Sequence, residues 1–167
     1  TAKQLAEQMT LELIRFGMSE YQERHSVAKF IGAPPGYVGY EDGNMGSGLL
    51  INELEKHPNC ILLLDEVEKA HQDVLNVLLQ VMDNGMVTGS NGKVVSARNA
   101  IIIMTSNLGA ADSELNTIGF GSGKREGTQE KAVKTFFTPE FRNRLDAVIR
   151  FKKLSKEDTQ NVAKKFL

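Results

Sequence analysis

The run Cys60-Ile61-Leu62-Leu63-Leu64 is apolar at every position, so neither face of a strand built from it offers water a polar group. Such a strand is stable only when both faces are covered, the situation of parallel strands in α/β proteins. Ile101-Ile102-Ile103-Met104 repeats the pattern. Between the two, Val74, Leu75, Leu78, Leu79 and Met82 form one stripe at helical spacing, predicting a helix over 71–82. Upstream, 1–9 reads as a helix with Leu5 and Met9 on one face, and 11–16 alternates as a short strand. Ser19 is read as the N-cap of a helix whose apolar face is Val27, Phe30 and Ile31. Strands alternating with helices imply a mostly parallel sheet covered on both faces. Ligands of such sheets sit beyond the carboxyl ends of the strands.

The remaining segments fill in around that frame. Residues 32–48 hold six glycines and two prolines, which excludes regular structure. A helix over 49–55 is closed by His57-Pro58, and 86–96 reads as a hairpin around Ser90-Asn91-Gly92. Residues 108–127 are polar and glycine-rich, the composition of a surface excursion. Thr138-Pro139 starts a short helix, 147–151 reads as a last strand, and Ser155 with Asp158 opens a further helix. With 20 basic against 21 acidic residues the net charge is -1, so no basic field exists to hold nucleic acid or an anionic membrane. No apolar run approaches the ~20 residues of a membrane-spanning helix, and residues 1–9 do not read as a signal peptide. A single cysteine excludes a disulfide framework or a multi-cysteine zinc site, and the expected compartment is cytoplasmic. His25, His57 and His71 are too scattered to make a metal site.

The residues with chemical potential stand at the carboxyl ends of the apolar strands. Ile61 to Leu64 ends in Asp65-Glu66. Two carboxylates at the end of a buried strand need a cation or a water network to ionise cheaply. Four hydrophobes followed by Asp-Glu is the Walker B pattern, in which the Asp holds Mg²⁺ and the Glu polarises the attacking water. The bland alternative is that one of them caps the next segment. The second apolar strand ends in Thr105-Ser106-Asn107. There the amide of Asn107 is suited to the water or the γ-phosphate, with an Asx turn as the alternative. Thr1, opening a helix, is a candidate for the hydroxyl residue that follows a phosphate-binding loop and its lysine, with an ordinary helix start as the alternative.

Longer blocks resemble a known family. Met18-Ser19-Glu20-Tyr21, Glu23 and His25, the run from Ile31 to Tyr40, Leu63 through His71, and Pro139 through Asp146 follow the order of the Clp/heat-shock-100 family of AAA+ ATPases. The match is to the second ATPase module of its two-module members. The resemblance implies a three-layer AAA+ P-loop NTPase large subdomain over 1–154, here without its first strand and P-loop. Residues 155–167 would begin the helix leading to a small helical subdomain. It also implies ATP with Mg²⁺ as ligands, and a homo-hexamer that pulls unfolded or tagged proteins through its pore, with an adaptor and the ClpP peptidase as partners. On that reading Tyr37 and Val38, between glycines, form the main pore loop, and Lys93 belongs to the second. Arg144 is the arginine finger reaching a neighbouring subunit's nucleotide. Arg142 is its rival, two positions away on what reads as one helix, and a surface ion pair of Arg144 with Asp146 or Glu140 is the alternative. Ile118-Gly119-Phe120 matches the triplet that docks unfoldases on ClpP. A disaggregase of the same family has no need of it, and a non-catalytic assembly remnant is the third possibility.

Two features depart from the family pattern. The family's phosphate-binding glycines and lysine are not among these 167 residues, and the segment 41–48 is a few residues longer than the usual connection. The isolated 167-residue chain, without a phosphate cradle, is therefore expected to bind ATP weakly and hydrolyse it negligibly. Phosphate release from the purified chain checks this. Turnover that Glu66→Gln abolishes would contradict it.

Overall fold

The computed structural model describes residues 1–32, 48–108, 125–151, 158–160, 162 and 164, with backbone alone for 125–130. Helix α1 (Ala2–Met9) leads through a left-handed Thr10 (φ 55°) into strand β1 (Glu12–Gly17). A 3-10 turn over Met18–Tyr21 precedes α2 (Arg24–Ile31). Glu23, not Ser19, therefore occupies the N-cap position of that helix. Next come α3 (Leu49–Lys56) and β2 (Cys60–Asp65), then α4 (Gln72–Asn84). The hairpin β3 (Met86–Thr88) and β4 (Val94–Ser96) is followed by β5 (Ile101–Met104), α5 (Arg125–Phe136) and α6 (Pro139–Arg142).

Strands β1, β2 and β5 form a parallel sheet in the order β1-β2-β5, as the two apolar runs required. The register sets Leu63 between Arg15 and Ile103, and Asp65 beside Gly17. Alternation then divides the sheet into two faces. Ile14, Phe16, Cys60, Leu62 and Leu64 point into the main core, against Phe30, Leu50, Ile51 and Leu54. An edge-to-face cluster of Phe16, Tyr21 and Phe30, with centroids 4.9–6.2 Å apart, closes that core at one end. The opposite face carries Leu13, Arg15, Ile61, Leu63, Ile101 and Ile103, and only Ile61 is fully buried there. The two faces are thus covered unequally, and the more open one runs to Asp65.

Two expectations need correction. Residues 147–151 form no strand: Val148, Ile149 and Phe151 are 62%, 76% and 77% exposed, and no described strand lies beside them to accept their backbone groups. The excursion read over 108–127 ends earlier, because α5 already begins at Arg125. Its helical signal is faint because Val133 and Phe136 are the only large apolar residues between 125 and 136.

The described residues that flank 33–47, Gly32 and Gly48, meet in the structure. Gly48 has φ +82°, and a Cβ there would lie 2.3 Å from the backbone carbon of Ile31. The hairpin secures the same junction: Ser90 donates its hydroxyl to the Gly32 carbonyl at 2.7 Å and its N–H to the Ile31 carbonyl at 3.2 Å. It thereby satisfies carbonyls that the end of α2 leaves open. Gly92, in the hairpin turn, has φ +81° and nothing within 4 Å of a Cβ. Gly92→Ala should therefore cost only the left-handed backbone penalty, about 1 kcal/mol. Gly48→Ala should cost more than about 2 kcal/mol, since backbone overlap adds to that penalty. Urea denaturation of the two variants measures the difference.

Candidate functional site

Strand β2 has Cys60, Ile61, Leu62 and Leu64 at 0–1% exposure, so its first charged side chain emerges only where the strand ends. There the side chain of Asp65 is 28% exposed and meets two donors. The Thr105 hydroxyl donates to its Oδ1, and the Arg15 guanidinium pairs with its Oδ2. These contacts, the Thr105 bond foremost and then Arg15, hold the Asp65 carboxyl below its ordinary pKa of 3.8 against the opposing effect of desolvation.

Glu66 follows in the left-handed region, with φ 57° and ψ 50°. This turns the chain out of the sheet and into a 3-10 turn over Val67–Lys69, anchored by the buried Val67. The Glu66 N–H donates to the Thr105 hydroxyl oxygen at 3.1 Å. Its carboxylate receives Lys69 Nζ on both oxygens at 2.9 Å. Further along the turn, Glu68 accepts the Asn107 N–H at the long limit of 3.5 Å, while its other oxygen is buried without a partner among the described residues. The turn is also tied to the segment after the first strand, since the His71 N–H donates to the Tyr21 carbonyl at 2.9 Å. His71 itself caps α4, its Nδ1 accepting the Asp73 N–H at 3.1 Å.

The carboxyl ends of β2 and β5 thus bring Asp65 and Glu66 together with Thr105, and Glu68 with Asn107. Thr1 lies at the N-cap of α1 and its side chain makes no capping bond to the helix. Arg144 is not at this cluster within the chain. It pairs with Asp83, about 16 Å along α4 from the start of that helix. The partners considered for it, Asp146 and Glu140, are therefore not the ones it takes; Asp83 raises its pKa, with Glu140 a smaller influence. Helix α6 ends at Arg142, so Arg142 and Arg144 do not share a helix as the sequence suggested. Arg142 is half-buried, its Nε without a hydrogen bond. Lys93 in the hairpin pairs with Glu55 of α3 at 2.6 Å. Tyr37, Val38, Ile118, Gly119 and Phe120 lie outside the described residues.

Sequence reasoning missed Arg15 and the part taken by Thr105. Arg15 sits on an alternating strand, where an arginine normally marks the solvent face. The available signal was parity: Arg15, Gly17 and Asp65 share one face of adjacent parallel strands. As for metals, no group of three potential ligands occurs among the described residues. The single anchored carboxylate of Asp65 fits an ion such as Mg²⁺ that takes most of its ligands from water and nucleotide phosphates. No helix among the described residues is long and apolar enough to cross a membrane.

The described residues thus form a parallel α/β sheet in which Asp65-Glu66 stands at the end of the central strand and Thr105-Ser106-Asn107 follows its neighbour. The chain belongs to the AAA domain family (Cdc48 subfamily), which it matches over residues 1–148. It is 56% identical to a "ClpA homolog protein" of Fuscovulum blasticum over 99% of this chain and 20% of that protein. It is 46% identical to the ATP-dependent Clp protease ATP-binding subunit ClpE of Streptococcus pneumoniae serotype 4, over 98% of this chain and 22% of that one. Among solved structures it resembles a closed-state cryo-EM reconstruction of Hsp104 with ATPγS and FITC-casein, with a TM-score of 0.80 and 38% identity, covering 99% of this chain and 28% of that one. The chain therefore spans about a fifth of the length of the curated relatives it matches.

Because folding favours the ionised form of Asp65, its stabilising contribution is complete above the ordinary carboxylate value of 3.8 and is lost as the pH falls through the depressed folded value. Wild type should accordingly exceed Asp65→Asn in stability at about pH 7, and the gap should shrink towards about pH 2. Urea midpoints across that range give the comparison.

Proposed function

We propose that this chain is the ATP-hydrolysing core of a ClpA-like protein unfoldase, the large subdomain over 1–154, with 155–167 leading to a small helical subdomain. The observation that carries the reading is the Asp65-Glu66 pair at the end of a buried central strand, in a chain of the AAA family. Asp65, with Thr1, would hold Mg²⁺. When bound, that ion neutralises phosphate charge and orients the nucleotide. Glu66 accepts a proton from the attacking water, which requires its carboxylate to leave Lys69. Asn107 offers a neutral donor to the γ-phosphate or the water. Arg144 exchanges Asp83 for the nucleotide of a neighbouring subunit, and its 38% side-chain exposure supports that exchange.

The work done is threading of unfolded or tagged polypeptides through a homo-hexamer in the cytoplasm, with Tyr37, Val38 and Lys93 as pore contacts. The relatives named as ATP-binding subunits of the Clp protease support ClpP as partner, and Ile118-Gly119-Phe120 would dock on it. An adaptor would select the substrates. A second reading, a disaggregase with no peptidase, is favoured by similarity to a chaperone ClpB of Propionibacterium freudenreichii, 46% identical over 90% of this chain and 17% of that protein.

One experiment separates the readings. In the complete protein, Glu66→Gln should abolish ATP hydrolysis. Deleting 118–120 should leave hydrolysis intact and stop ClpP-dependent degradation of a tagged substrate. Degradation unaffected by the deletion sinks the peptidase assignment.

A further inference from the structure

We infer that Thr105 is a positioning residue for hydrolysis: one hydroxyl, bonded at once to the Asp65 carboxylate and to the Glu66 backbone, fixes the two carboxylates relative to each other. The inference rests on the reading above that Asp65 and Glu66 serve ATP hydrolysis.

A threonine hydroxyl has one hydrogen to donate and two lone pairs to accept with. At Thr105 the hydrogen goes to Asp65 Oδ1, and a lone pair takes the Glu66 N–H at 3.1 Å. The main chain of the same residue grips both sides of that pair. Its N–H donates to the Leu64 carbonyl at 2.9 Å, and its carbonyl accepts the Val67 N–H at 3.0 Å. Thr105 therefore binds four consecutive residues, 64 to 67, across the end of β2.

The side-chain half of this grip acts where the backbone needs it. Glu66 is one of two described non-glycine residues with positive φ, a conformation that persists only when surroundings hold it. The bond from its N–H to the hydroxyl fixes the peptide plane from which its side chain departs. The bond to Oδ1 leaves Asp65 with its other oxygen on Arg15, so the hydroxyl also decides which lone pairs of Asp65 remain open to a ligand.

Thr105 is exposed, so water can reach the atoms that its hydroxyl bonds. Water can replace both side-chain bonds at little cost in stability, but it cannot hold two carboxylates in a fixed relation. Geometry and stability therefore separate here, and the test uses that separation. Thr105→Val keeps the β-branched shape and removes the hydroxyl. Thr105→Ser keeps the hydroxyl and removes the methyl.

In the complete protein, Thr105→Val should lower kcat for ATP hydrolysis about 10- to 100-fold, as loss of a supporting hydrogen bond does at other sites. KM for ATP and the thermal midpoint should stay close to wild type, and Thr105→Ser should recover most of kcat. Wild-type kcat in Thr105→Val overturns the inference, as does a Thr105→Ser variant as slow as the valine. If the valine variant does not fold, Thr105→Ala against Thr105→Ser decides by the same criteria. Glu66→Gln with wild-type turnover would instead overturn the reading of the site itself, a result distinguishable from a failure at Thr105.

Discussion

A strand buried on both faces cannot carry a charge until it ends. Strand β2 carries no charge from Cys60 to Leu64, where only Leu63 is partly open, and the arrangement of the candidate site depends on it. Packing against β1 on one edge and β5 on the other fixes the strand in place. The first carboxylates then appear at one defined point, where both neighbouring strands can also place polar groups. The apolar run is a packing requirement and a positioning device at once. It fixes the end of the strand by pairing and burial where two adjacent carboxylates need external donors to stay ionised.

The donors that meet them come from separate parts of the sequence. Arg15 arrives from β1, Thr105 from the end of β5, and Lys69 from the turn that Glu66 itself creates. Each carboxylate therefore has a cation of the chain's own at hand. Hydrolysis on the proposed reading requires at least one of those pairings to be exchanged for a ligand. Both pairs are partly open to solvent, where an ion pair contributes little net stability and exchanges readily.

How far the sequence revealed this depended on whether the signal was local. Cys60–Leu64 and Ile101–Met104 are legible because an unbroken apolar run of strand length has few other uses, and the parallel sheet followed from them. The hairpin was legible from Asn91-Gly92, and α6 from Thr138-Pro139, whose hydroxyl accepts the Phe141 N–H at 3.2 Å. Residues 147–151 misled, because apolar composition is necessary for a strand but pairing makes one, and no described strand flanks them. Ser19 misled because a serine ahead of an apolar stripe fits a 3-10 turn as well as a helix start. At the site, Asp65, Glu66 and Asn107 could be picked out by position at strand ends. Arg15 and the Asp83 partner of Arg144 are separated from their partners by 50 and 61 positions, and only the fold brings such pairs together.

The Arg144–Asp83 pair shows why a residue's place in one chain can differ from its proposed role in an assembly. A finger aimed at a neighbouring subunit has to lie away from its own nucleotide, or it would act in the wrong place. Asp83, near the far end of α4, is such a location. An exposed ion pair there costs little to break, yet it keeps a long side chain from sampling many rotamers while no neighbour is present. The same logic applies to Lys93 on Glu55, where the hairpin is held against α3 until something else takes the lysine. Both pairings are cheap and local. They park a cation near the surface from which it is proposed to act, and they leave the strand end with its two carboxylates as the place of the proposed chemistry.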